Sequence, residues 1–117
     1  MEVEYSVRIE PEDIQFEGNA CAHDGDDECY AWIRSELESG NMAAWCWVEV
    51  TARLEVDGHV FKGSAGVGGC SYRSEDEIHK EVVPDLKPEA LEDLHGELQR
   101  ATGMGLVAAT ILREFVK

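Results

Sequence analysis

The stretch Ala44-Trp45-Cys46-Trp47-Val48-Glu49-Val50-Thr51-Ala52-Arg53-Leu54-Glu55-Val56-Asp57-Gly58-His59-Val60-Phe61 decides the fold. Cys46, Val48, Val50, Ala52, Leu54 and Val56 alternate with Trp45, Trp47, Glu49, Thr51, Arg53 and Glu55, the period of a strand with one buried face. Asp57-Gly58 is a dipeptide that tolerates positive φ at both centres of a type I′ turn. Folding the chain about it sets Val56 against His59, Leu54 against Phe61, Ala52 against Gly63, Val50 against Ala65 and Val48 against Val67. Apolar or small residues then meet on one face, so register and pattern agree. The spacing predicts a central hairpin over residues 44–56 and 59–71. On its other face Trp45 falls across from Cys70 and Trp47 across from Gly68, a tryptophan-over-glycine arrangement.

Upstream, Val3, Tyr5, Val7 and Ile9 alternate with Glu4, Ser6, Arg8 and Glu10, which predicts a half-buried strand ending at Pro11. Ile14 and Phe16 extend this to a second short strand, closed by a Gly18-Asn19 turn. A helix capped by Asp24, Asp26 or Asp27 runs to about Ser39, with Cys29, Ile33 and Leu37 on one face and Gly40 at its end. Downstream, Ser74-x-x-Glu77 is a capping box for a short helix that Pro84 stops. Pro88 suits the first position of a last helix over 88–116. Its seam, Leu91, Leu94, Leu98, Ala101, Gly105, Ala108, Leu112 and Phe115, keeps one face. Such a helix would be about 43 Å long, too long for a chain of 117 residues, so a break near Gly103-Met104-Gly105 is expected. The small residues of the seam also suit a helix lying close against Ala52, Gly63 and Ala65. The expected fold class is α+β: an antiparallel sheet of 3–4 strands with about three helices packed mainly on one face, in a single domain spanning 1–117.

Charge separates the function classes. The chain carries 25 acidic and 10 basic side chains, net −15. Direct binding to nucleic acid or to an anionic membrane needs clustered Lys and Arg and is not expected. The negative charge lies in two blocks, −10 over residues 1–40 and −7 over 75–97, around a neutral centre. Few of these acids have a Lys or Arg at i,i+4 spacing, so they repel one another. No apolar run reaches transmembrane length and the N-terminus lacks a signal-peptide pattern, so a cytoplasmic protein is expected.

Motifs for catalysis are missing. Gly63-Ser64-Ala65-Gly66-Val67-Gly68-Gly69 lacks the Lys-Ser/Thr ending of a phosphate loop and lies in a strand, where it suits close packing. Asp24-Gly25-Asp26-Asp27-Glu28 lacks the alternation of a calcium loop, and HExxH and GxSxG are absent. The expectation is a non-enzymatic protein without cofactor. Cys21, His23 and Cys29 are weak candidates for a metal site, since their spacing is not that of a zinc motif.

The Ala44–Val50 strand, the hairpin, the Gly68-Gly69-Cys70-Ser71-Tyr72 end and the acidic helix after it resemble small uncharacterised proteins of phages and prophages. The resemblance covers most of residues 3–98. Such small acidic phage proteins are similar in character to anti-CRISPR and anti-restriction inhibitors. The resemblance implies antagonism of host defence and transfers no functional residue. Joined to the charge pattern, it gives the expected function: an inhibitor that acts in the bacterial host cell and offers carboxylates to a basic nucleic-acid-binding groove of a defence complex, such as a CRISPR effector. The candidate contacts are Glu10, Glu12, Asp13, Asp24, Asp26, Asp27 and Glu28 in one block, Glu75, Asp76, Glu77 and Glu81 in the other, and Trp45 and Trp47 as an aromatic patch. Two other classes stay open: a Cys/His metal-binding protein, and a homodimeric structural or assembly protein joined through Ala101–Phe115 or the tryptophan face.

Overall fold

The computed structural model describes residues 2–19 and 27–105. It is an α+β fold. Strand β1 is Glu4–Pro11, helix α1 is Asp27–Glu38, β2 is Cys46–Val56, β3 is His59–Cys70, α2 is Glu75–Glu81 and α3 is Val83–Gly103. A single 3-10 turn, Met42–Ala44, leads into β2. The three strands form one antiparallel sheet in the order β1-β2-β3. Asp57 and Gly58 join β2 to β3 with φ of +50° and +82°, the two positive angles that a type I′ turn requires. Cys46, Val48, Val50, Ala52, Leu54 and Val56 are all buried, as their alternation predicts.

The chain packs as two compact units, one drawn from Met1–Val7, Val50–Ala65 and Asp85–Lys117, the other from Arg8–Glu49 and Gly66–Pro84. In the first unit α3 buries Leu86, Ala90, Leu94, Leu98 and Ala101, a stripe at helical spacing. The α3 backbone at Ala90 and Leu94 presses directly on Gly63 of β3, with no room for a methyl group between them. Asp93 completes the contact: the Ser64 N–H donates to its Oδ2 at 2.8 Å. Across the unit, the Lys87 ammonium lies 5.2 Å from the centre of the Tyr5 ring.

In the second unit Ile33 of α1 is wholly buried against Ala44 and Trp45, with Phe16, Cys29, Tyr30 and Leu37 packed around them. The segment after β1 is a run of bends and a turn instead of the expected strand at Ile14 and Phe16. Its polar groups go elsewhere: the Trp45 indole N–H donates to the Ile14 carbonyl at 2.6 Å, and the Gly18 N–H donates to the Tyr30 hydroxyl at 2.9 Å. The expected turn is present, with Gly18 at φ +82°.

Two helix boundaries differ from expectation. The Ser74 hydroxyl caps α2 by accepting from the Glu77 N–H at 3.3 Å, but α2 ends at Glu81 and α3 begins at Val83, five residues before Pro88. Pro84 has no N–H to continue the ladder of α2, and in the first turn of α3 that N–H is not needed. The same residue therefore ends one helix and opens the next, and Pro88 lies inside α3. Within the described residues α3 stops at Gly103, where Gly105 takes φ +76° and donates to the Thr102 carbonyl at 3.0 Å. The seam positions from Ala108 to Phe115 lie outside the described residues.

Replacing Gly63 by Ala should lower unfolding stability by about 2–3 kcal/mol, because helix backbone has to move to admit the methyl. Gly96 lies in α3 with nothing within 4 Å of an added Cβ. Gly96→Ala should raise stability by about 0.5–1 kcal/mol. Urea denaturation of the two variants checks both signs.

Candidate partner-binding surface

The candidate acids named from the two blocks all fall within the ranges of the second unit. Its ranges hold 15 acidic and 4 basic side chains, net −11, against 10 acidic and 6 basic, net −4, in the first. Local structure accounts for where several acids sit. Asp27 and Glu28 occupy the first turn of α1, and Glu75, Asp76 and Glu77 the first turn of α2. Carboxylates there meet the positive end of the helix dipole. Glu77 also accepts from the Arg73 N–H at 3.5 Å. Asp13, Asp27, Glu28, Glu75, Asp76 and Glu81 are exposed, and Glu10, Glu12 and Glu77 are half-buried. Asp24 and Asp26 lie outside the described residues, as do Cys21 and His23 of the metal candidates. Cys29 is disulfide-bonded and in that state has no thiolate to offer a metal. Among the described residues no group of three or more His, Cys, Asp or Glu is placed to hold a metal ion.

The fold joins residues that are far apart in sequence. Cys46 opens β2 and Cys70 ends β3, and both are buried free thiols. Burial pushes the Cys46 thiol up from 9.0 to about 12, and the charges of Cys70, Glu12 and Glu75 add to the effect. Burial, then Glu12, raises Cys70 in the same direction. Glu12 from the first acidic block and Glu75 from the second therefore lie close enough for both to act on one thiol. Raised in this way, the two sulfurs are poor nucleophiles.

The tryptophans part company. Trp45 is only 5% exposed, stacks on Gly69 and belongs to the core, so it offers a partner almost no surface. Trp47 is half-buried and its six-membered ring packs against Gly66 and Gly68. Its indole N–H donates to Glu49 Oε2 at 3.4 Å. With Glu10, Pro11, Glu12, Asp13 and Ile14 it lines a groove of about 370 Å³. A second groove, of about 380 Å³, is lined by Trp32, Ser71, Tyr72, Arg73 and Glu77. Sequence reasoning named Glu10, Glu12, Asp13 and Trp47 of the first groove, but not Pro11 or Ile14 and not their grouping. Of the second it named Glu77 alone and missed Trp32, Ser71, Tyr72 and Arg73. No helix among the described residues is long and apolar enough to cross a membrane. No family model, curated protein or solved structure matches the chain significantly.

The raised thiols set an alkaline limit. Above about pH 9 the unfolded chain loses the Cys46 proton while the folded chain keeps it to about pH 12. Unfolded chains then bind fewer protons than folded ones, so this contribution to stability is intact below pH 9 and falls between 9 and 12. Urea midpoints from pH 8 to 11 should therefore decline. At pH 8 a thiol-reactive dye should label Cys46 and Cys70 only after urea unfolding.

Proposed function

We propose that this chain is a non-enzymatic inhibitor from a phage or mobile element that acts in the bacterial host cytoplasm. It occupies a basic nucleic-acid-binding groove of a defence complex, in the manner of an anti-CRISPR protein. The observation that carries the reading is the concentration of −11 of the net −15 in the unit formed by Arg8–Glu49 and Gly66–Pro84. A groove lined with Lys and Arg is built to meet about one phosphate charge per 1.7 Å of duplex axis. A unit of this charge, with Asp13, Asp27, Glu28, Glu75, Asp76 and Glu81 all exposed, presents the same sign of field. Few of these acids are neutralised from within. The ion pairs of the second unit among the described residues use Glu10, Glu49 and Glu17, held by Arg8 and Arg34.

Such a surface works through association rate more than through individual bonds. Complementary fields raise the encounter rate, and salt removes the advantage within a Debye length of about 8 Å at physiological ionic strength. Binding should therefore be fast at low salt and strongly salt-dependent.

A pull-down from bacterial lysate, eluted by a salt gradient and read by mass spectrometry, tests the proposal. The expected result is release of one nucleic-acid-binding complex at moderate salt. Reversing Asp13, Asp27 and Glu28 to Lys should slow association with that complex about tenfold or more and flatten its salt dependence. Binding that survives with both acidic blocks neutralised overturns the reading.

A further inference from the structure

We infer that the groove between Glu10–Ile14 and Trp47 receives an arginine side chain of the basic partner. The inference rests on the inhibitor reading for the identity of that partner, and on the groove itself for the chemistry. Three observations meet there. First, the groove has the volume for a long side chain, about 370 Å³, with Pro11, Ile14 and the Trp47 indole as apolar walls. Second, a methyl placed on Gly68 would meet Glu12 Oε1 at 3.0 Å and the six-membered ring of Trp47 at 3.2 Å, so carboxylate and indole flank one point. Third, neither Glu12 nor Asp13 takes part in an ion pair among the described residues, although both border the groove.

The protein shows elsewhere what it does with this combination. Arg34 lies 5.6 Å from the centre of the Phe16 ring and pairs with Glu17 at 3.0 Å. Arg8 is held by Glu49 at 2.8 Å and Glu10 at 3.2 Å, at the edge of the same groove. In both places a guanidinium sits among carboxylates, once over an aromatic ring. At the groove Arg8 serves Glu10 and Glu49, whereas Glu12 and Asp13, beside the same indole, pair with no cation among the described residues. Arginine fits better than lysine. Its planar guanidinium stacks on an indole and meets a carboxylate through two N–H groups, whereas an ammonium keeps its water more tightly.

The test uses the intact protein and a capped hexa-arginine peptide, followed by NMR of the tryptophan indole N–H signals at low salt. The Trp47 signal should shift on titration, and a hexa-lysine peptide of equal charge should bind about fivefold or more weakly. Glu12→Gln with Asp13→Asn should weaken hexa-arginine binding about tenfold. The paired control Glu89→Gln with Glu92→Gln removes the same charge from exposed positions of α3 and should cost no more than about twofold. Equal losses from the two double variants, equal affinity for the two peptides, or an unmoved Trp47 signal each overturn the inference. The titration needs no defence complex. Its failure leaves the inhibitor reading standing, and a failed pull-down leaves the groove standing.

Discussion

Strand β3 has glycine where a helix backbone and two tryptophan rings come close to it, and both units use that allowance. Gly63 lets the α3 backbone touch the strand, Gly66 and Gly68 carry the Trp47 ring, and Gly69 carries Trp45. A Cβ at Gly63 or Gly66 would occupy space already filled, and one at Gly68 or Gly69 would press on its neighbours. The hydrophobic gain of the second unit, where Trp45 closes over Ile33 and Ala44, depends on the strand having no side chain beneath the indole. The stripe Leu86, Ala90, Leu94 and Leu98 reaches full burial because its helix can come so near the sheet. Glycine costs backbone entropy in a strand, and here the cost is offset by burial of rings and of a whole helix face.

Much of this was legible in the sequence, and the reasons differ by element. The hairpin announced itself because a strict period of two and an Asp-Gly turn give the same register independently. The capping box at Ser74 is local and was equally plain. The boundary of α3 was not, because a proline at the end of one helix reads as a stop even when it serves as the opening of the next. Ile14 and Phe16 have the spacing of a strand, but the Ile14 carbonyl is taken by the Trp45 indole and Phe16 by the core under α1. Such partners lie from 14 residues (Phe16 to Tyr30) to 31 residues (Ile14 to Trp45) away, and no local pattern carries them.

The candidate surface divides in the same way. That acids dominate was countable, and their first-turn positions at α1 and α2 follow from helix electrostatics. That Glu12 and Glu75 both act on Cys46 depends on the residues just after β1, the first residue of β2 and the start of α2 meeting in one unit, which the charge count does not contain. Trp45 and Trp47 looked equivalent by alternation. They are not, because the 3-10 turn at Met42–Ala44 delivers Trp45 into the core while Trp47 remains at a groove wall.

The bond from the Ser64 N–H to Asp93 has a consequence for how the protein behaves in a crowded solution. β3 is an outer strand of its sheet, and an outer strand offers unpaired backbone groups to which a strand of another chain can add. The Ser64 N–H does not serve a neighbouring strand, because the Asp93 carboxylate already holds it. An incoming strand would have to displace that carboxylate and then lie beside its charge. One aspartate, delivered by a helix, thus guards an open sheet edge against the addition of a further strand.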